Sequence, residues 1–197
     1  MKIKASTVNI NYKTKLYMHP LAKKLSQLLI HAYLSGSQED YLNKLSQTFN
    51  CYQPLPIHNI SVISMGSSSN EYQIIGGCFN PLFNIKELKN DNSIFISYQS
   101  SQKNIKAEHK KRAKAEFDQD IVNFIYLDFL RSISILSLKK PGSMDRELRQ
   151  ITQNYKSKIW SEIFDNGGKN YLRQTDLADL LNVTRDTLKK QADLNEL

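Results

Sequence analysis

Residues 104–138 contain neither glycine nor proline, and this is the feature that most limits the folds open to the chain. Apolar side chains recur through the stretch at helical spacing, at Phe117, Ile121, Phe124, Ile125, Leu127, Leu130 and Ile133. Such a period predicts one long α-helix. Pro141 and Gly142 follow it, and both residue types commonly end helices.

Residues 57–75 show a different pattern, in which β-branched side chains dominate. Apolar residues stand on both sides of the turn-forming segment 66–70, at Ile57, Ile60, Val62, Ile63, Tyr72, Ile74 and Ile75. This arrangement predicts a β-hairpin. One more strand is predicted from Ile94 to Tyr98, and an arm or a short strand is predicted within residues 1–15.

The remaining segments are predicted to be mainly helical. Apolar residues recur at helical spacing between His19 and Phe49, and the polar segment 35–40 divides them into two predicted helices. Another helix is predicted from about Met144 to Phe164, followed by a loop over residues 165–170 and two short helices.

The order of these elements predicts an α+β fold. A small mixed domain is expected over residues 15–101, and an all-helical region over residues 102–197. The chain length suits one domain with a real core, or a domain with a small appendage. The helical region is expected to end in a helix-turn-helix motif at residues 174–192.

The segment from Gln174 to Ala192 fits the helix-turn-helix template. Ala178 is the small residue needed where the second helix crosses the first. Asn182 stands at the turn, where a left-handed backbone favours Gly and then Asn. Thr184 can cap the second helix through its hydroxyl. Core positions are supplied by Leu177, Leu181, Val183 and Leu188.

A net charge of +8 favours an anionic partner, and nucleic acid is the commonest one. The DNA-contacting candidates are exposed residues of the last helix and basic residues of the long helix: Thr184, Arg185, Lys189, Lys190, Gln191, Lys110, Lys111 and Arg112. Against DNA binding, acidic residues share the motif: Asp176, Asp179, Asp186 and Asp193. The alternatives are a helical packing unit and a solvated basic helix face.

A glycine-rich junction, "YQIIGGCFNP", follows the predicted second strand of the hairpin, and Pro81 suits the first turn of a helix expected after it. Glycines at a strand end can bring backbone amides close to a phosphate. Gly76, Gly77 and Cys78 are therefore the nucleotide-binding candidates, and Cys78 is also the candidate nucleophile. A small buried cysteine is the alternative for Cys78.

The segment 54–80 resembles the ParB/sulfiredoxin superfamily, and the likeness extends over about residues 16–100. Sulfiredoxins carry Gly-Gly-Cys-His-Arg at this loop, so Gly76, Gly77 and Cys78 match, whereas Phe79 and Asn80 replace the His and Arg. The resemblance implies a nucleotide-binding fold, and leaves open whether ATP or CTP binds. Loss of the basic pair would remove charge-assisted phosphate donors, each worth about 1.5–3 kcal/mol.

Several classes of protein are not expected. Cys51 and Cys78 are too few for a disulfide scaffold, and neither they nor the four histidines show metal-ligand spacing. We expect no metal site. The sequence lacks an apolar run of about 18 residues, so we expect no membrane insertion and a cytoplasmic protein.

Three functions follow from these patterns. The first is a protein that binds duplex DNA, which the family resemblance implies to be an accessory or partition-like protein of a plasmid or other mobile element, with a homodimer left open. The second is a nucleotide hydrolase or nuclease that suppresses conjugal transfer, as the family resemblance implies. The third is an interaction module that binds a component of a replication or secretion apparatus.

Overall fold

The computed structural model describes residues 3–33, 58–66, 70–80, 83–100, 107–135, 138 and 140–193. Five strands lie in these residues: β1 (Ile3–Val8), β2 (Lys15–Met18), β3 (His58–Ser64), β4 (Glu71–Gly76) and β5 (Ser93–Ser100). The same ranges contain six α-helices: α1 (Pro20–Tyr33), α2 (Ala107–Ile135), α3 (Asp145–Asn154), α4 (Ile159–Ile163), α5 (Gln174–Leu180) and α6 (Arg185–Asp193). The protein is therefore mixed α+β, as predicted.

The strands form one mixed sheet in the order β1-β5-β3-β4-β2. β3 and β4 pair antiparallel, which confirms the predicted hairpin. β5 is the predicted additional strand, and it runs parallel to β3. β1 pairs antiparallel with β5, so the sheet begins before residue 15, where the mixed domain was expected to start.

The predicted long helix is confirmed as α2, which runs from Ala107 to Ile135. One face of its second half is buried, and Phe124 packs on the ring of Tyr98 in β5 with ring centroids 5.1 Å apart. The core is continuous, because buried apolar residues of α1, the sheet, α2, α3, α5 and α6 belong to one cluster. The predicted domain boundary near residue 101 lies outside the described residues.

The helix predicted from Met144 to Phe164 is wrong as a single element. α3 ends at Asn154 and α4 begins at Ile159. The cause is tertiary: the Tyr155 carbonyl accepts a hydrogen bond from the Tyr126 hydroxyl at 2.8 Å. In the same turn, the Ser157 N–H donates to the carbonyl of Asn170 at 2.9 Å. These bonds replace the intrahelical ones that a continuous helix would need.

The helix expected after the glycine junction is also corrected. Within residues 83–88, the described chain forms only a three-residue 3₁₀ turn, Ile85–Glu87. The Asn84 side chain accepts from the Lys86 N–H at 3.1 Å and donates to Glu87 at 3.0 Å, which favours a local turn. Pro81 and the helix predicted near residues 41–49 lie outside the described residues.

Candidate nucleic-acid interface

The two short helices at the carboxyl end, α5 and α6, are joined by a tight turn. Asn182 adopts a φ of 50°, which is the left-handed backbone predicted for this position. The Val183 N–H donates to the Ala178 carbonyl at 3.0 Å, and this bond holds the turn against α5. Ala178 is buried, as expected for a small residue at the crossing.

The first turn of α6 is capped by Thr184. Its hydroxyl oxygen accepts a hydrogen bond from the Thr187 N–H at 3.1 Å, which confirms the predicted cap. The hydroxyls of Thr184 and Thr187 also bond each other at 2.9 Å. The Thr184 side chain therefore orders the helix start, and it is exposed to solvent.

One face of α6 packs inward. Leu188 is buried, and the Gln191 side-chain carbonyl accepts a hydrogen bond from the Gly142 N–H at 2.7 Å. Gly142 belongs to a 3₁₀ turn, Pro141–Met144, between α2 and α3. Gln191 was a predicted DNA-contacting residue, but its side-chain oxygen already binds the Gly142 N–H and holds α6 against this turn.

The opposite face of α6 is open. Arg185, Lys189 and Lys190 are all exposed, and within the described part of the chain their side chains make no ion pair or hydrogen bond. Arg185 and Lys189 are one helical turn apart, so they point the same way. Asp186 is also exposed on this face. The outward face of α6 hereafter means Arg185, Asp186, Lys189 and Lys190.

Asp176, one of the acidic residues expected to oppose DNA, is neutralised within the fold. It is 2% exposed and bonds the guanidinium of Arg173 at 2.7 Å and the Arg173 N–H at 2.8 Å. Burial opposes ionisation of Asp176, but the hydrogen bonds from Arg173 outweigh it and lower the pKa of this carboxyl. Asp179 and Asp186 remain exposed, and the side chain of Asp193 lies outside the described part.

The second cationic group is at the start of α2. Lys110, Lys111 and Lys114 are exposed, whereas Arg112 is paired with Glu116 at 3.0 Å. At 1.5 Å per residue, Lys111 lies about 35 Å along the helix axis from Ile135. The turn that carries α6 follows that other end of α2. The fold therefore does not gather the predicted DNA-contacting residues into one patch.

The glycine junction is a closely packed joint between β4 and α2. Gly77 has a φ of 74°, and a Cβ there would collide with the Asn59 carbonyl oxygen. The Gly77 N–H donates to the Asp128 carboxylate at 2.7 Å. A Cβ on Gly76 would stand 2.8 Å from the Phe124 ring. The amide that was expected to meet a phosphate is occupied by a carboxylate of the protein itself.

Cys78 is fully buried at this joint. Burial raises the pKa of its thiol, and the nearby charge of Asp128 raises it further. A thiol in this environment stays protonated at neutral pH and is a poor nucleophile. Its surroundings are those of a core side chain.

Asp128 is the residue at this joint that sequence reasoning missed. A signal was present, because Asp128 follows Ile121 by seven residues and Ile125 by three, so it shares their helix face. A lone carboxylate on an apolar face needs a buried donor. The pattern could not identify Gly77 as that donor, since the two residues are far apart in sequence.

Comparison with known proteins identified no relative of this chain. No model of a known protein family matches the sequence, and no curated protein or solved structure matches it significantly. The resemblance to the ParB/sulfiredoxin superfamily therefore stays a prediction.

Among the residues with described positions, no helix is long and apolar enough to cross a membrane. No cluster of three or more potential metal ligands occurs in those ranges either.

Proposed function

We propose that this protein binds duplex DNA through the outward face of α6. One observation carries the proposal: Arg185, Lys189 and Lys190 are exposed and have no partner among the described residues, whereas Leu188 of the same helix is buried. Arginine and lysine contact phosphates, and both can donate to guanine in the major groove. A helix in the major groove uses its first residues to contact base edges, which assigns that role to Arg185.

The contacts that hold α6 in place suit this role. The Thr184 cap, the left-handed Asn182 and the bond from Gly142 to Gln191 hold the helix in one position. A helix held in this way loses little conformational freedom on binding. Lys189 and Lys190, one turn further along, are suited to phosphates rather than to bases.

The basic start of α2 is proposed as a separate phosphate contact. Lys110, Lys111 and Lys114 are exposed at this end of the helix. Neutralising phosphates releases counterions, so these lysines would add affinity that weakens with salt. They would not add sequence preference.

The resemblance to ParB proteins extends the proposal to an accessory or partition-like role on a plasmid or other mobile element. ParB proteins place helix-turn-helix units after their mixed domain, and the predicted order of a mixed domain and a helix-turn-helix motif in this chain agrees with that. The nucleotide-hydrolase alternative is disfavoured, because Asp128 holds the Gly77 amide and the Cys78 thiol is buried.

Fluorescence anisotropy with duplex DNA at several salt concentrations tests the proposal. The Arg185→Ala/Lys189→Ala double variant is expected to lose about tenfold or more in affinity, since good contacts are worth about 1–3 kcal/mol each. The Lys86→Ala/Lys89→Ala variant is a charge-matched control, because both lysines are exposed, one within and one just after the Ile85–Glu87 turn, and are far from α6 in sequence. Equal affinity of the two double variants would overturn the assignment to α6.

A further inference from the structure

The first turn of α6 carries an acidic residue beside the cationic ones. Asp186 follows Arg185 directly and is exposed. Lys189 and Lys190 stand three and four residues further on, which is the spacing at which helical ion pairs form. No such pair or any other side-chain hydrogen bond engages Asp186 in the described part of the chain. The carboxylate is therefore free to accept a hydrogen bond from outside the protein.

An exposed carboxylate on a surface that meets DNA has few favourable partners. Phosphates repel it, so it cannot contribute to backbone contacts. In the major groove, the hydrogen-bond donors are the amino groups of cytosine and adenine, and an aspartate pairs characteristically with the cytosine amino group. A carboxylate at this position therefore weakens general affinity and can strengthen binding to particular bases.

We propose that Asp186 is a specificity residue that accepts a hydrogen bond from a cytosine in the major groove, beside a guanine contacted by Arg185. This inference rests on the proposed binding of DNA through α6. It identifies the target as duplex DNA with a G·C-containing recognition element. Lys189 and Lys190 then hold the phosphates on either side.

Asp179 offers a matched comparison for Asp186 within the segment formed by α5, the turn and α6. It is exposed and carries the same charge, but it lies on α5 and lines a groove of about 590 Å³ together with Asn182, Thr184 and Thr187. It is not on the outward face of α6. Asp179 is expected to repel phosphates without contacting a base.

The experiment is selection of bound duplexes from a randomised library by the full-length protein, followed by sequencing. The wild type is expected to enrich cytosine about tenfold at one position. Asp186→Asn is expected to lose that preference and to favour adenine there, because asparagine pairs with the adenine edge. Asp179→Asn is expected to keep the cytosine and to bind all duplexes a few-fold more tightly.

Three outcomes would count against the inference, and they are distinguishable. If Asp186→Asn enriches the same base at every position as the wild type, Asp186 does not read a base, although α6 still binds DNA. If none of the three proteins enriches or retains any duplex, the proposed function fails and the inference fails with it. Thermal unfolding of Asp186→Asn separates a base contact from helix stabilisation, since a carboxylate in the first turn also favours the helix. A loss of folded protein together with an unchanged base preference would count against the inference.

Discussion

The carboxylate of Asp128 accepts a hydrogen bond from the backbone N–H of Gly77 at 2.7 Å, and this bond joins the long helix α2 to the end of strand β4. Fifty-one residues separate the two partners. The bond satisfies an amide that a left-handed glycine turns toward the helix. It also places a negative charge where the sequence suggested a phosphate.

Asp128→Ala is expected to destabilise the protein by about 1.5–3 kcal/mol, because it leaves the Gly77 N–H without its charged acceptor. Urea unfolding followed by circular dichroism measures the change. Asp118→Ala at pH 7.5, where the neighbouring His19 is neutral, is the control, since Asp118 is an exposed carboxylate on the same helix and its removal should cost about 0.5 kcal/mol or less. Equal effects of the two substitutions would contradict the role assigned to the bond.

Gly77→Ala is expected to be far more harmful than Gly167→Ala. Both glycines have positive φ, at 74° and 70°, so alanine costs about 1–2 kcal/mol in backbone strain at either position. Only Gly77 also meets the Asn59 carbonyl, whereas nothing lies within 4 Å of a Cβ at Gly167. Melting temperatures and soluble yield distinguish the two variants. If Gly77→Ala melts no lower than Gly167→Ala, the close packing of the joint is refuted.

Stability is expected to fall in mild acid because of His19. Burial lowers the pKa of this imidazole, with a smaller opposing effect from Asp118, and its Nδ1 accepts a hydrogen bond from the Leu21 N–H at the start of α1. The unfolded chain titrates near pH 6.5 and binds the proton more readily than the folded state. The free energy of unfolding should thus be highest above about pH 6.5 and should decrease as the pH drops below it.

The control for this pH effect is His19→Asn, which keeps a side-chain acceptor at the helix start but cannot titrate. Unfolding by urea between pH 5 and 7.5 gives the comparison. The wild type should lose more stability toward pH 5 than the variant loses. Parallel curves for the two proteins would show that His19 is not responsible.

Gln191→Ala is expected to destabilise the protein by about 1–3 kcal/mol, because the Gly142 N–H loses its acceptor. Lys190→Ala, at the exposed neighbouring position, should leave stability within about 0.5 kcal/mol of the wild type. Differential scanning fluorimetry measures both. An unchanged melting temperature for Gln191→Ala, with altered base preference, would support base reading by Gln191 instead.

The basic start of α2 is expected to affect the salt dependence of DNA binding and not its sequence preference. Replacing Lys110, Lys111 and Lys114 by alanine should reduce the slope of log affinity against log salt by about one for each lost phosphate contact. Anisotropy titrations on two duplexes of unrelated sequence test this. A slope equal to that of the wild type would mean that this segment does not touch the DNA.

Local patterns predicted much of the fold. The long helix, the hairpin, the strand β5 and the turn between α5 and α6 all follow from signals within a short stretch of sequence. The cap at Thr184 and the left-handed Asn182 were predicted for the same reason, because each depends on neighbours three or four residues away. The exposed positions of Arg185 and Lys189 follow from the helical period.

Other features depend on contacts between distant residues. The break after Asn154 depends on the hydroxyl of Tyr126, and the use of Gln191 depends on the amide of Gly142. Neither partner is marked by any local pattern. At the glycine junction, the Gly77 N–H is likewise bound by a carboxylate from a distant element, that of Asp128 in α2.

By itself, the sequence determined most of the helices and strands, among them the long helix, the hairpin and β5, since propensity, periodicity and turn chemistry act over a few residues. Only the tertiary structure decided which polar groups remain available to a partner. The reason is that a buried donor or acceptor must form a hydrogen bond, and its partner can be about fifty residues away in the sequence. Thus the Gly77 amide and the Gln191 carbonyl are used within the protein, whereas Arg185 and Lys189 stay open to solvent.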